Sequence, residues 1–324
     1  MAIDLLARGL EAAGHEVLLC APAHSACPVP QPDGARPARG LRTLNAHDEL
    51  EQVAWAWEHA VSWGADVVHD HTLLGPALGC GLGPPVVVTT HNPFTPSNRA
   101  WYAHLADDVS VIALSSHHAS TAGAVPIAAV IHHGVDTEAF PMGPGDGGYA
   151  ACIGRMSPDK GIDRAIEVAR SADIPLRIAA KIAGADEHAY FSEVIAPLLG
   201  GSVEYLGELG LADKVDLLGH ATCLLNPLRW HEPFGMVMVE ALACGTPVVA
   251  TPTGSVPELV HHGVTGWLGA SSGDLVRGVH RAGELSRHAC RAVALERFSP
   301  KRVTASHLQL YARLTERAAP RSVA

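Results

Sequence analysis

"CLLNPLRWHEPFGMVMVEALACGTPVVAT", residues 223–251, changes character three times. A short apolar run gives way to a polar loop, Leu228–Gly235. An apolar segment of helical length then ends at Gly245, and a second short run, Thr246–Thr251, follows. Strand, loop, helix and strand in that order form the repeating unit of a parallel α/β sheet. A helix starting near Phe234 or Gly235 leaves unpaired N–H groups and a positive dipole end at the loop, which suits an anion. Gly235 lets a ligand approach the main chain. Glu232, just ahead of that end, can accept hydrogen bonds from ligand hydroxyls. Glu240 lies within a helix otherwise made of Met, Val, Ala and Leu, so its carboxylate needs a partner. A buried Arg or His would serve, and so would a vicinal diol. The carboxylates of a hydrolase flank one bond at roughly 5–9.5 Å. Eight helical positions rise about 12 Å, so the two acids more naturally grip separate parts of a long ligand.

The same alternation extends in both directions. The first half offers strands at 15–21, 65–71, 84–91, 109–115 and 127–132, and the second half at 149–154, 175–181, 202–207, 222–227, 246–251 and 264–269. Their near-continuous Val, Ile and Leu indicate strands buried on both faces, hence two doubly wound parallel-sheet domains. The Pro- and Gly-dense "EAFPMGPGDGG", 138–148, reads as the linker, and "PVPQPDGARPARG", 28–40, as a surface loop. The expected domains are therefore 1–140 and 141–298, with a final helix over 299–324 that Ser299 and Pro300 start. The chain opens directly in an amphipathic helix, "MAIDLLARGLEAAG", without the strand and glycine turn that begin a doubly wound domain. Either the true start lies upstream or the sheet is rearranged.

A second loop carries charge. In "GRMSPDKGIDRAIEVA", 154–169, Arg155 and Lys160 fall between a strand and a helix, at the sheet edge where open α/β folds bind ligands. A guanidinium fork and an ammonium suit a diphosphate. Equally, Arg155 could pair with an acid and Lys160 could be solvated.

Composition narrows the partners. The 324 residues are 48% hydrophobic and 17% charged, with a net charge of -10 and no Lys/Arg-rich run. That balance argues against nucleic acid or an anionic membrane surface. No apolar run approaches the roughly 20 residues of a membrane span. The seven scattered cysteines suit a reducing cytoplasm. No pattern fixes an oligomeric state.

G-R-x-x-x-x-K-G at 154–161, followed by E-P-F-G-x-x-x-x-E-A-x-A-x-G-x-P-V-V at 232–249, resembles the retaining, family-4-type nucleotide-sugar glycosyltransferases of GT-B fold. "GHEV" (14–17), "GVD" (134–136) and "VPELVHHGVTGWL" (256–268) agree. The resemblance implies two Rossmann-like domains facing a cleft, the donor mainly on the second, and a final helix crossing back to the first. It implies that Arg155 and Lys160 hold the donor diphosphate and Glu240 the ribose hydroxyls. Glu232 and the Phe234, Gly235 and Met236 amides would hold the transferred sugar, and the main chain near Tyr205 and Leu206 would face the base. His91, in "TTHN", matches a first-domain histidine that reaches the donor sugar. The implied activity is transfer of a hexose-type sugar from a UDP-, GDP- or ADP-sugar to an acceptor hydroxyl, with retention and without a metal or other cofactor. A non-catalytic sugar-nucleotide binder, or an epimerase on the same fold, are the alternatives. The missing opening strand and glycine loop are departures from the family pattern, as are Ser255 in place of a glycine and His133 in place of an asparagine.

Two histidines remain open. His69 and His71, in "VHDH", share one face at a strand's carboxyl end. They suit a donor or acceptor contact or structural hydrogen bonds; a zinc site would need a third ligand that the sequence does not announce. "SSHHAS", 115–120, places serines beside His117 and His118, but adjacency in sequence does not make a nucleophile and base.

Overall fold

The computed structural model describes residues 2–35, 37 and 46–318. The chain divides into two compact units, Met1–Gly134 with Pro300–Ala324, and Val135–Ser299.

The first unit is built on β1 (Val68–Asp70), β2 (Val86–Thr89), β3 (Val109–Ala113) and β4 (Ile127–Val130), all parallel and in that spatial order. Alternate residues of a strand face opposite layers, and both faces here are apolar. Val86, Val88, Val109 and Val111 pack with Val53, Trp57, Phe94 and Tyr102 on one side. Val87 and Ile112 pack with Val303, Leu310 and Tyr311 of the helix Pro300–Ala318 on the other. The final helix is thus part of this unit's core. Helix Ala2–Ala12 lies beside it, with Gly9 so close to Thr304 that an added Cβ would meet the Thr304 hydroxyl at 2.1 Å.

The expected strand at 15–21 is not a strand. A strand exists only as part of a ladder, and this segment's main chain finds Pro30 (Leu19 N to Pro30 O, 2.9 Å) rather than a neighbouring strand. Val17 and Leu19 are still half-buried, against Ala7, Cys27 and Val29. Of the loop expected at 28–40, residues 36 and 38–40 lie outside the described ones.

The second unit carries β5 (Ala150–Arg155), β6 (Leu176–Lys181), β7 (Val203–Gly207), β8 (Cys223–Asn226), β9 (Val248–Ala250) and β10 (Gly266–Leu268). Their order is β10-β9-β8-β5-β6-β7, parallel throughout. From β5 the chain winds outward to β7, then returns to β8 on the other side of β5. The sheet therefore reverses direction between β5 and β8, the place where doubly wound sheets open a ligand crevice.

The segment 138–148 is no free linker but a packed part of this unit. Phe140 is fully buried. Gly143, Gly145 and Gly147 donate to the carbonyls of Cys244, Gly219 and His220 at 2.9–3.0 Å. Arg287 donates to the carbonyls of Gly143, Gly219, Ala221 and Cys244, and Arg291 to those of Thr137, Phe140 and Ala243. Two guanidinium groups thus satisfy the free carbonyl ends of helices Leu211–His220 and Met236–Ala243, where cations are favoured, and tie the segment down as they do so. The first unit accordingly ends at Gly134 rather than at 140.

Candidate functional site

The loops after β5 and β8 meet at the reversal point. Arg229 N donates to Asp159 O at 2.9 Å. Arg229 also grips Asp163 with both terminal guanidinium nitrogens, at 2.6 and 2.7 Å. Gly161, at φ 68°, lies against Pro227 O, which an added Cβ would approach to 2.3 Å. Only glycine allows the two loops so close.

Across that contact Lys160 Nζ donates to Glu232 Oε2 at 2.5 Å, and the indole N–H of Trp230 donates to the same oxygen at 3.0 Å. The ammonium also stands 4.7 Å from the centre of the Trp230 ring. Both hydrogen bonds fall on Oε2, which leaves Oε1 to accept from a ligand. Lys160 has three N–H donors, so those not directed at Glu232 remain for phosphate oxygens. Neither side chain is more than 16% exposed, so their charges are weakly screened.

Helix Met236–Ala243 begins behind this pair. Gly235 caps it in a left-handed conformation, φ 92°, with no side-chain cap, so the first amides are left for a ligand. Phe234 is buried. Ser255, where the related pattern carries glycine, is also buried, and its hydroxyl donates to Phe234 O. Ser255 N donates to Glu232 O at 3.0 Å, and Gly254 lies flush on the Glu232 main chain. The substitution therefore adds a strut beneath the Glu232 loop.

Glu240 is only 3% exposed, and its partner is neither arginine nor histidine. Lys214 Nζ donates to Oε1 at 2.7 Å. Arg155, at the end of β5, has its Nη1 3.3 Å from Glu187 Oε1 and its Nη2 3.6 Å from Asp159. With more than half of its side chain exposed, Arg155 is held loosely enough to turn toward a stronger anion. It borders an open recess of about 350 Å³ lined by Ser157 and residues 184–187; the buried Ser157 hydroxyl has no hydrogen-bond partner. At β7, the edge strand of this sheet, the register shifts so that Tyr205 and Gly207 pair with β6 while Leu206 is passed over.

The first unit gathers histidines at the carboxyl ends of its strands. His69 makes hydrogen bonds to Tyr311 and Thr89, at 2.5 and 2.8 Å. His71 Nδ1 lies 3.0 Å from His91 Nε2. The rings continue from His307 through His69, His71 and His91 to His133, with centres 4.3–5.4 Å apart. Burial and the neighbouring imidazoles hold His69 and His71 well below the usual histidine range, and push His133 down to about 3. Burial also lowers His91 and His307. The array is neutral at pH 7. Among the described residues no three His, Cys, Asp or Glu side chains are placed to hold a metal ion. His118 is structural: its ring accepts from Leu114 N and bonds Asn92 O, and its own amide is capped by Ser115 Oγ.

Sequence reasoning missed Lys214, Glu187 and Trp230. A Trp two residues from a singled-out Glu was the one available signal.

The model of "Glycosyltransferase Family 4" matches residues 2–139, and that of "Glycosyl transferases group 1" matches residues 139–292. The D-inositol 3-phosphate glycosyltransferase of Mycobacterium bovis is 31% identical over 246 residues, 67% of this chain and 48% of that protein. The chain spans a third to a half of the length of the curated relatives it matches. AviGT4, a glycosyltransferase involved in avilamycin A biosynthesis, superposes with a TM-score of 0.73 at 25% identity, covering 97% of this chain and 89% of that one. Sucrose-phosphate synthase from Thermosynechococcus elongatus superposes with a TM-score of 0.78 at 19% identity, covering 97% and 93%.

Proposed function

Because the chain belongs to the family-4-type glycosyltransferases of GT-B fold, we propose that it moves a hexose-type sugar from a nucleoside diphosphate to an acceptor hydroxyl with retention of configuration. The observation that carries this reading is the meeting of Lys160, Glu232 and an uncapped helix end where the second sheet reverses. Lys160 and Arg155 take the diphosphate, and Oε1 of Glu232 with the Gly235 and Met236 amides takes the sugar hydroxyls. Glu240 takes the ribose diol, and main chain at Tyr205 and Leu206 faces a uracil, guanine or adenine. The hard step is departure of the diphosphate from an oxocarbenium-like carbon. Positive potential fixed in place before the reaction lowers that barrier, and protein cations supply it, so no metal is assigned. The C1–phosphate bond breaks, and the acceptor oxygen bonds C1 from the same face. A phosphate oxygen takes the acceptor's proton. His91 completes the reading as a contact to the donor sugar. The cytoplasm suits a chain whose seven cysteines are all free thiols, and none of the described helices is long and apolar enough to cross a membrane.

The test is turnover of UDP-, GDP- and ADP-hexoses by the parent, Lys160→Ala and Glu232→Ala. We expect slow donor hydrolysis without acceptor in the parent and its loss in both variants. Equal hydrolysis in all three would remove the assigned roles, and a parent that binds a nucleotide sugar but never cleaves it would make the chain a binder.

A further inference from the structure

We infer that Lys214 is a positioning residue for nucleotide recognition: it ties one oxygen of Glu240 and turns the other toward the ribose diol. This rests on the reading that Glu240 takes the ribose hydroxyls. A carboxylate among Met, Val, Ala and Leu has little to choose its rotamer for it, and it is costly to bury alone. Lys214 resolves both problems, since its 2.7 Å bond falls on Oε1 alone.

The lysine is itself fixed. It sits in the first turn of helix Leu211–His220, with its amide on Gly210 O at 3.0 Å. Its ammonium lies 5.1 Å from the centre of the fully buried Phe140 ring, on the segment clasped by Arg287 and Arg291. That helix begins shortly after β7, whose Leu206 is passed over by the ladder. One short stretch, 205–214, therefore carries both the main chain assigned to the base and the side chain that sets the ribose acid. A change in base recognition would shift the ribose contact with it.

The experiment measures binding of UDP, GDP and ADP against their 2′-deoxy forms by calorimetry, on the whole chain. For the base bound best, the parent is expected to prefer the ribo form by about tenfold or more, as a buried acid left without its hydroxyl partner would require. Lys214→Met, which keeps the stem but not the donor, is expected to bring that preference to within about twofold, while Lys214→Arg keeps most of it. A folded Lys214→Met with the parental preference overturns the inference. Should Lys214→Met not fold, the double variant Lys214→Met/Glu240→Gln buries no lone charge and serves instead. A preference equal to that of Glu240→Gln alone supports action through Glu240, and a further multiplied loss overturns it. A parent that binds none of the six nucleotides rejects the functional reading instead.

Discussion

In the first unit five imidazoles lie ring against ring, from the buried His307 to the exposed His91, with desolvation and, for three of them, the neighbouring rings favouring the neutral form; in the second, Glu232 and Glu240 each carry a lysine. Both units hide titratable groups at the carboxyl edge of a parallel sheet, by opposite means. Removing charge leaves a surface that offers hydrogen bonds without net potential. Pairing charge keeps strong donors and acceptors in place, ready to be divided between the partner and a ligand. The contrast suits the proposed division of labour, in which the second unit takes the diphosphate and the first meets uncharged groups. It also makes the units differ in what should disable them.

The largest expected effect is on turnover. Lys160→Ala or Glu232→Ala should lower kcat about 10²–10³-fold, the size of losing one preorganised charge contact, in steady-state assays with saturating donor. Such a loss in a histidine variant of the first unit, with the Lys160 variant unaffected, would invert the comparison.

Acid should separate the units next. An unfolded histidine titrates near 6.5, whereas His69, His71 and His133 stay neutral in the fold well below that. Below pH 6.5 the unfolded chain binds protons that the folded first unit refuses. Its stability is thus complete above that pH and falls as the pH drops toward the folded value, about 3 for His133. For His133 the loss is about 1–2 kcal/mol between pH 6.5 and 5, and His69 and His71 act in the same direction. Hydrogen exchange at pH 5 should show the amides of β1–β3 opening before those of β5 and β8, and His133→Asn should reduce the difference.

Ser255→Ala tests the strut beneath Glu232. It removes the bond from the Ser255 hydroxyl to the Phe234 carbonyl and should cost about 0.5–1.5 kcal/mol in denaturant unfolding, together with weaker donor binding. Smallest is Arg155→Lys. Its pairs are exposed, so stability should change by less than about 0.5 kcal/mol. Donor KM should still rise, because a point charge replaces a fork.

Much of this was legible in the sequence because it is local. Ten of the strands follow from apolar runs of strand length, and the helix after Gly235 from an apolar segment of helical length that ends at Gly245. What was not legible depends on partners far along the chain. Lys214 reaches Glu240 across 26 residues and Glu187 reaches Arg155 across 32, and nothing in either segment announces the other. The histidine array draws on four separate segments. Residues 15–21 read as a strand because pattern records burial, whereas a strand also needs a neighbour. Residues 138–148 read as a linker because glycine and proline mark turns; that Arg287 and Arg291 would seize the carbonyls of that region is a tertiary fact.

The ends of the second unit lie side by side: Val135 N donates to Phe298 O at 2.9 Å. A module whose entry and exit adjoin can be cut out and spliced elsewhere without stretching the chain. Chimeras joined at 134/135 and 299/300 should therefore exchange donor preference between relatives as a cassette, leaving the recipient's own framework intact.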